Sequence, residues 1–312
     1  MSAYFRPTAK VVSATALGAG LAYTGYRYWN TTHFYFNTAH AESLPSDSTA
    51  ALKKMDWKGF TELKLVQAEM VNHNVKRLTF ALPDDQSITG LSPITSLLTR
   101  HTPEGAFIPV FRPYTPVSDN DLAGTVTFMV KKYPNGKGSG KMHSLKPGDS
   151  MKFKPLHEFD YKPNQFSHIT LIAGGSGITP LYQLTRSILN NPADKTKLAL
   201  VYANNTEEDI LLRKEFDELA QQYPDRFQRL YTVSKLSSST DGQVQQGYVS
   251  KEMLAKVMPH KLKEANTKVL VSGPPPMVEA VAGAKGGFGW TQGSIGGILG
   301  ELGYSKEDVH KF

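Results

Sequence analysis

The sequence predicts a two-domain α+β protein, in which an antiparallel β-barrel precedes a doubly wound α/β domain and an N-terminal membrane-anchor helix comes before both. Short alternating runs follow Trp57, apolar strands alternate with helical segments after His168, and no acidic residue occurs before Glu42. We assign residues 1–41 to a targeting segment and anchor, 42–56 to a linker, 57–164 to the barrel and 165–312 to the α/β domain.

Composition limits the chemistry available to this chain. With 312 residues, 40% hydrophobic and 20% charged, it has the composition of a folded globular protein. The net charge of +7 favours an acidic partner or a membrane surface, although diffuse charge also serves solubility. Cysteine is absent, which excludes disulfides, thiolate nucleophiles and Cys-ligated metal clusters. We expect no metal site and no nucleic-acid partner, so that redox chemistry requires an organic cofactor or a partner's metal.

The N-terminal segment combines basic residues with an apolar run from Val11 to Tyr26. A membrane span needs roughly 20 residues, so Tyr28 and Trp29 would have to complete it as an interfacial anchor. A basic start free of acidic residues is typical of mitochondrial targeting. We therefore expect attachment to the mitochondrial outer membrane, with a cleaved form in the intermembrane space as a variant. A cleaved secretory signal and an ordinary helix remain as alternatives.

Alternating apolar positions predict the strands of the first domain, and Pro83-Asp-Asp85 and Pro134-Asn-Gly136 predict turns between them. The predicted strands are Thr61–Glu69, Val75–Leu82, Phe107–Arg112 and Thr125–Tyr133. Such a pattern is typical of a small antiparallel barrel or sandwich.

Continuous apolar runs predict buried parallel strands in the second domain. These strands are Ile169–Ala173, Leu198–Ala203, Phe227–Val233 and Val269–Ser272, with helices near Leu181–Leu189 and Ile210–Gln221.

Two strand ends in the second domain carry motifs that suit a nucleotide. The first strand continues into Gly174-Gly-Ser-Gly177 and a helix starting at Thr179-Pro180, with Thr179 as the expected N-cap. Such a turn lets a phosphate approach backbone N–H groups, but tight turns also need glycine for steric reasons. Gly273-Pro-Pro-Pro-Met277 ends another strand, where it forms either a nicotinamide platform or a stiff connector.

In the first domain, Arg112-Pro-Tyr-Thr115 combines groups that suit a flavin. Arg112 offers a planar fork for a pyrophosphate, Tyr114 a flat ring on the same strand face, and Thr115 a hydroxyl for a flavin nitrogen. The alternative is an edge strand interrupted by Pro113 and Pro116. Gly140-Lys-Met-His-Ser144 is either a basic helix start or a surface turn.

In order, these motifs resemble those of the ferredoxin–NADP reductase superfamily and, within it, NADH–cytochrome b5 reductases of the fungal mitochondrial type. The resemblance extends from about Trp57 to Phe312. It implies FAD on the barrel, NADH on the α/β domain, hydride transfer between them, and single-electron release to an acidic haem protein similar to cytochrome b5. Open alternatives are a different electron acceptor and a non-catalytic, membrane-anchored nucleotide-binding protein.

The resemblance also implies roles for individual residues, with Tyr114 and Thr115 nearest the chemistry. The implied FAD-binding residues are Arg112, Pro113, Tyr114, Thr115, Met129, Lys131, Tyr133, Gly140, Lys141, Met142, Ser144 and Thr179. The implied NADH-binding residues are Gly174, Gly175, Ser176, Gly177, Ser234, Ser272, Gly273, Pro274, Pro275 and Met277.

Four positions depart from the family pattern. His143 stands where the family has Ser or Thr in its phosphate-binding motif. Ser144 can take over that role only if the loop after Met142 is one residue tighter than in the family. Ser272 stands where the family commonly has Cys. The segment from Gly90 to Ser96 lacks the Gly-Gln-His of animal-type relatives, so the resemblance does not imply a hydrogen-bond relay from His to Thr and the flavin. Ser234-Lys235 replaces an Asp that repels the 2′-phosphate of NADPH, so we expect NADH as the working cofactor with reduced discrimination.

Overall fold

The computed structural model describes residues 52–236, 244–258, 266–289 and 291–312. Within these ranges, no helix combines the length and the apolar character needed to cross a membrane. The predicted anchor at 1–41 lies outside them.

The first sheet forms an antiparallel barrel. Its region contains strands β1 (Lys53–Lys54), β2 (Thr61–Met70), β3 (Val75–Ala81), β4 (Ser87–Ile88), β5 (Thr95–His101), β6 (Val110–Tyr114), β7 (Thr125–Lys131) and β8 (Ser150–His157), and helix α1 (Lys137–Ser144). The strand order is β6-β5-β8-β2-β3-β7, with β1 and β4 as a separate parallel pair. After β6, the Val117 N–H donates to the Thr127 carbonyl of β7 at 2.8 Å, which joins the two edges. Phe80, Phe128 and Phe153 pack together at the centre of the barrel.

Alternating burial along β2 and β8 explains why the barrel forms, since apolar side chains face inward and charged ones face solvent. The sequence pattern did not identify β5 and β8. The prediction of a strand at Phe107–Arg112 was displaced: β6 begins at Val110, and Phe107 is fully exposed. The end of the predicted linker already pairs with the barrel region, because Lys53–Lys54 lies beside Ser87–Ile88.

The second sheet is parallel and carries helices. Its strands are β9 (His168–Gly174), β10 (Lys197–Asn204), β11 (Phe227–Val233), β12 (Val244–Gln246), β13 (Thr267–Ser272) and β14 (Val309–Lys311). Its helices are α2 (Ile178–Leu189), α3 (Arg213–Gln222), α4 (Lys251–Val257), α5 (Pro275–Ala282) and α6 (Gly297–Glu301). The strand order β12-β11-β10-β9-β13-β14 reverses direction between β9 and β13. An open α/β sheet binds ligands beyond the carboxyl ends of its strands at such a reversal.

The start of α2 differs from the prediction. The helix begins at Ile178 rather than at Thr179, its N-cap is Gly177, and no side chain caps it. Thr179 is therefore not the N-cap; its hydroxyl donates to the Ser176 carbonyl at 3.3 Å. The three residues Gly175–Gly177 form a 3₁₀ turn, which feeds directly into α2 and removes the need for a separate cap.

Polar and apolar contacts join the barrel to the parallel sheet. Arg186 of α2 pairs with Asp119 at 2.7 Å, and Gln183 of α2 accepts from the Thr95 N–H at 3.1 Å. Ile94 and Val117 of the barrel belong to the same buried cluster as the apolar face of α2. These contacts hold the β6–β7 edge of the barrel against the switch point of the sheet. The predicted order, an antiparallel β region followed by a doubly wound α/β region, is confirmed.

Candidate functional site

A cleft of about 450 Å³ lies between the barrel and the switch point of the parallel sheet. Many predicted site residues line it: Arg112, Pro113, Tyr114, Thr115, Met129, Lys131, Tyr133, Ser176, Gly177, Thr179, Ser272, Gly273, Pro274 and Pro275. The motifs separated in sequence thus face one space.

Side chains form the barrel wall of this cleft. Because β6 is an edge strand, Pro113 interrupts no essential ladder bond there. Burial raises the pKa of Tyr114 to about 12, so that its phenol is neutral at physiological pH. Gly138 at the start of α1 packs on this strand, since a Cβ there would lie 2.5 Å from Cγ of Arg112 and 3.3 Å from Oη of Tyr114. The wall presents a cation and a ring in fixed positions.

Thr115 extends this wall into a buried chain of hydrogen bonds. Its Oγ1 lies 2.8 Å from Oγ of Ser96 on β5. Ser96 in turn donates to Oε2 of Glu158, which follows β8. Ser96 and Thr115 are buried, and all three residues line the cleft. Burial raises the pKa of Glu158, an effect opposed by the Ser96 hydrogen bond, the charge of Lys285 and, less strongly, His157.

Backbone dominates the opposite wall. Gly177 lies so close to the end of β13 that a Cβ would meet the Ser272 carbonyl oxygen at 2.5 Å. Gly175 has a φ of +51°, a left-handed conformation that glycine adopts without strain. Oη of Tyr202 on the neighbouring strand β10 donates to the Gly175 carbonyl at 2.9 Å and so fixes the turn. The Gly-Gly-Ser-Gly turn and the Gly-Pro-Pro turn therefore lie side by side.

Tyr133 and Ser176 connect the two walls across the cleft. Their hydroxyl oxygens are 2.9 Å apart, and Tyr133 comes from the barrel whereas Ser176 belongs to the glycine-rich turn. Lys131 also crosses the gap, because its Nζ lies 3.7 Å from Oδ1 of the buried Asp209. Part of the polar surface of each wall is thus engaged with the other.

The C-terminal residue closes one end of the cleft. The Phe312 N–H donates to the Val271 carbonyl at 2.9 Å, and its ring lines the cleft. His310 packs between two rings, edge-on to Phe312 at a centroid distance of 4.8 Å and tilted against Phe159 at 5.0 Å. Burial, reinforced by the charges of Lys268 and Lys285, lowers the pKa of His310 to about 4. The chain end is therefore held by an uncharged aromatic cluster.

Other predicted site residues lie outside the lining of the cleft. Met142 is buried in the barrel core, and Lys141 lines a separate cavity of about 330 Å³ together with Arg100 and His101. A Cβ built on Gly140 would meet no described atom within 4 Å, and Ser144 donates to the Lys141 carbonyl.

The glycine-rich turn has further predicted residues behind the cleft. Gly174 and Gly175 precede Ser176 and Gly177, the two residues of this turn that line the cleft. The sulfur of Met277 packs against Gly174, where a Cβ has no room. Ser234 lies at the end of β11, away from the cleft, and donates to the Asn205 carbonyl at 3.2 Å. His143, at one position that departs from the family, hydrogen bonds the Val130 carbonyl at 2.7 Å.

Sequence reasoning missed several residues that line the cleft: Ser96, Val130, Gly136, Gly138, Ser139, Glu158 and Pro180. Gly136 and Gly138 were visible as glycines next to the predicted phosphate motif. Ser96 and Glu158 are 62 positions apart and meet only because β5 pairs with β8, neither of which was predicted. No local pattern could have linked them.

The residues present fit a flavin and a nicotinamide. A flat neutral phenol, a guanidinium and a buried hydroxyl suit an isoalloxazine ring and its phosphates. The close approach of two backbone turns at the switch point suits a nucleotide. The basic cavity beside Lys141 adds positive charge next to the barrel wall.

Comparison with known proteins agrees with this division. Residues 62–161 match the family described as oxidoreductase FAD-binding domain, and residues 171–283 match the oxidoreductase NAD-binding domain. An NADH-cytochrome b5 reductase 2 of Pyricularia oryzae is 45% identical over 287 residues, covering 90% of this chain and 85% of that protein. The protein of the same name in Botryotinia fuckeliana is 48% identical over 256 residues, covering 82% and 73%.

Solved structures show the same architecture. The cytochrome b5 reductase domain of Ulva prolifera nitrate reductase has a TM-score of 0.69 at 29% identity, covering 84% of this chain and 100% of that one. A ferredoxin NADP+ reductase of Neisseria gonorrhoeae shares the fold alone, with a TM-score of 0.60 at 15% identity, covering 81% and 98%. The predicted pairing of an FAD-binding barrel with an NAD-binding α/β domain is thereby confirmed, and the chain belongs to the NADH–cytochrome b5 reductase family.

Proposed function

We propose that this protein is an FAD-dependent NADH–cytochrome b5 reductase. The observation that carries the proposal is the cleft in which the Arg112-Pro-Tyr-Thr115 strand faces the Gly174–Gly177 and Gly273–Pro275 turns. When bound, FAD accepts a hydride and releases electrons one at a time, which joins a two-electron donor to a one-electron haem acceptor.

The chain's own residues position the reactants. Arg112 binds the cofactor's phosphates as a bidentate cation, while the neutral ring of Tyr114 and the hydroxyl of Thr115 orient the flavin ring. Gly177 and Ser272 bring two backbone turns together as a platform for the nicotinamide. By fixing both binding surfaces, these residues would hold a bound flavin and nicotinamide in position for hydride transfer and so lower its entropic cost. The ring of Phe312 adds an apolar surface to the lining of the cleft.

The test is electron transfer from NADH to purified ferric cytochrome b5 by the full-length chain. We expect reduction of the haem that requires both the protein and NADH. If NADH bleaches the flavin but the haem stays ferric, the acceptor is a different molecule. If the protein binds no FAD even after reconstitution, the non-catalytic nucleotide-binding alternative takes over.

We further propose that NADH is the working donor and that the chain discriminates weakly against NADPH. Ser234 and Lys235 follow the carboxyl end of β11, and both backbone N–H groups bond to carbonyls of Asn204 and Asn205. The site therefore has a fixed backbone, and at positions 234 and 235 it carries no carboxylate that would repel a 2′-phosphate. The ratio of kcat/KM for the two donors tests this, and a ratio that strongly favours NADH would assign the selectivity to other residues.

For location, we propose attachment to the mitochondrial outer membrane through residues 1–41. The support is the basic, acid-free N-terminal sequence and its apolar run from Val11 to Tyr26. Expression of the full chain and of a version lacking residues 1–41, followed by fractionation and carbonate extraction, tests the proposal. Loss of membrane association only in the shortened chain would support it, and association of both would contradict it. Separately, we propose that the boundary between the barrel domain and the α/β domain lies near residue 164.

A further inference from the structure

A partly buried carboxyl group is linked by hydrogen bonds to two buried hydroxyl groups of the cleft. Thr115 follows β6, Ser96 lies on β5, and Glu158 follows β8, so three separate parts of the barrel contribute one residue each. Thr115 Oγ1 and Ser96 Oγ are 2.8 Å apart, and Ser96 donates to Oε2 of Glu158. The hydroxyl groups are almost fully buried, with Ser96 2% and Thr115 6% exposed. Glu158 is partly exposed and also lines the cleft, so water can reach the carboxyl end of this chain of bonds.

The proposed reaction has a proton to discharge. Oxidation of one NADH by two ferric haems gives NAD⁺, two ferrous haems and one proton. The two electrons of the hydride leave singly to the two haems, and its hydrogen nucleus leaves as that proton. A proton released at a ring nitrogen in a closed cleft needs an acceptor within hydrogen-bond reach, directly or through a chain of hydroxyls.

We propose that Glu158 accepts this proton through Thr115 and Ser96 and returns it to solvent. This inference rests on the proposed reductase function and deepens it. Glu158 lines the cleft beside these two residues, and its part in the proposal is to accept the proton that reaches it through Thr115 and Ser96.

The polarity of the hydrogen bonds agrees with this role. When Glu158 is ionised, it only accepts, so that Ser96 must donate to it and Thr115 must donate to Ser96. The Thr115 oxygen then has a free lone pair for a donor in the cleft. When Glu158 is protonated, every bond can reverse, and the Thr115 hydroxyl donates into the cleft instead. One proton on Glu158 thus switches Thr115 from acceptor to donor, which matches a ring nitrogen that alternates between N–H and N.

The surroundings of Glu158 suit a carboxyl group that both takes and releases a proton. Burial raises its pKa, whereas the Ser96 hydrogen bond and the positive charges of Lys285 and His157 lower it. Burial lowers the pKa of Lys285, and the charge of Glu158 opposes that shift. His157 is largely exposed and pairs with Asp160 at 2.7 Å. These opposing influences on Glu158 come from three different segments of the chain.

A purely structural role would need only an acceptor for the Ser96 hydroxyl. Glu158→Gln keeps an acceptor of the same size at that place but cannot take up a proton under these conditions. Asp160→Asn is the matched control, because Asp160 is a nearby carboxylate whose side chain is 93% exposed and which makes no bond to Ser96 or Thr115.

The experiment measures the two halves of the reaction separately in the full-length holoenzyme. Stopped-flow spectroscopy follows bleaching by NADH without oxygen, and then reduction of ferric cytochrome b5 by the reduced protein. We expect Glu158→Gln and Ser96→Ala to slow the second half at least about tenfold and to leave the first within about twofold. The pH dependence and the solvent deuterium isotope effect of the second half should weaken in Glu158→Gln and Ser96→Ala. Asp160→Asn should retain the pH dependence and the isotope effect of the unmodified protein.

A second readout needs no turnover. The ¹³C signal of the Glu158 carboxyl, titrated in the full-length protein, reports its pKa directly. Ser96→Ala removes a hydrogen bond to the ionised form and should therefore raise this pKa. An unchanged titration would show that Ser96 and Glu158 are not linked and would overturn the proposal. An unchanged rate of cytochrome b5 reduction in Glu158→Gln would overturn it as well. If the unmodified protein failed to reduce the haem while Ser96→Ala still shifted the titration, the reductase function alone would fail.

Discussion

The two walls of the cleft are built from different parts of the polypeptide. The barrel wall presents side chains: the Arg112 guanidinium, the Tyr114 ring and the Thr115 hydroxyl. The wall at the switch point presents mainly backbone, because Gly177 and Gly273 carry no side chain and Pro274 and Pro275 carry short rigid ones. The first wall thus offers one charged and several polar or aromatic side-chain groups to a ligand, whereas the second offers mainly the shape of two backbone turns.

This difference matches two kinds of ligand. A cofactor that stays bound through many turnovers needs strong, directional contacts, which charged hydrogen bonds supply. A nucleotide that must enter and leave in each cycle is better served by a flat backbone platform with few strong contacts. We therefore expect substitutions on the barrel wall to cost flavin, and substitutions on the other wall to cost NADH affinity. The following predictions test this contrast, from the largest expected effect to the smallest.

Arg112→Ala should have the largest effect, because it removes the cation of the barrel wall. Losing a charged hydrogen-bond partner costs about 2–3 kcal/mol, or roughly 30- to 150-fold in FAD affinity. Flavin content after purification and the Kd for FAD would measure this loss. Arg77→Ala is the control, since Arg77 lies on the same barrel and pairs with Glu69 away from the cleft. Equal flavin content in the two variants would show that Arg112 does not bind the cofactor.

Gly177→Ala should damage the other wall while leaving the flavin in place. The added Cβ would lie 2.5 Å from the Ser272 carbonyl oxygen, so the two turns must separate. Overpacking of this kind costs about 1–3 kcal/mol, and we expect the KM for NADH to rise about tenfold. Gly140→Ala is the control, because a Cβ there meets no described atom within 4 Å. It should stabilise α1 by about 0.5–1 kcal/mol, and a loss of flavin instead would place Gly140 at the cofactor.

Much of this site could be predicted from the sequence, and the missing part has a physical reason. The strand β9, its glycine-rich turn and α2 follow one another along the chain, so local patterns identified them. Ser96 and Glu158 were invisible, because they are 62 positions apart and come together only through the long-range pairing of β5 with β8, which no local pattern records. Gly140 and Lys141 show the same limit: the sequence left their segment open between a helix start and a surface turn, and it did not indicate which residues of α1 face the cleft.

Ser234→Asp should increase selectivity without changing either wall. A carboxylate after β11 would repel the 2′-phosphate of NADPH, which we expect to raise the preference for NADH about tenfold. The ratio of kcat/KM for the two donors measures this change, and flavin content should stay constant. Gln222→Glu, at an exposed position at the end of α3, is the control for added charge. If both variants shifted the ratio equally, the effect would come from net charge and not from position 234.

His310 should give the smallest effect, on the stability of the cluster that holds Phe312 at the cleft. Its pKa is lowered to about 4 in the folded protein, against about 6.5 for an unperturbed histidine. The unfolded chain therefore binds the extra proton between these values, and the stabilisation, complete above pH 6.5, is lost as the pH falls toward 4.

After allowance for the exposed part of the ring, the His310 effect is on the order of 1 kcal/mol. Urea unfolding at several pH values should show this loss in the unmodified protein and a smaller one in His310→Gln. Identical pH profiles for the His310 variant and the unmodified protein would rule out this origin of the acid sensitivity.

The most direct test of the two-wall account is the visible spectrum of the full-length protein and its two wall variants during an anaerobic NADH titration. We predict oxidised-flavin bands that bleach with NADH in the unmodified protein, absent or weak bands in Arg112→Ala, and full bands that bleach only at higher NADH in Gly177→Ala. Flavin loss in Gly177→Ala together with normal flavin content in Arg112→Ala would contradict the assignment of FAD to the barrel wall and of NADH to the backbone wall.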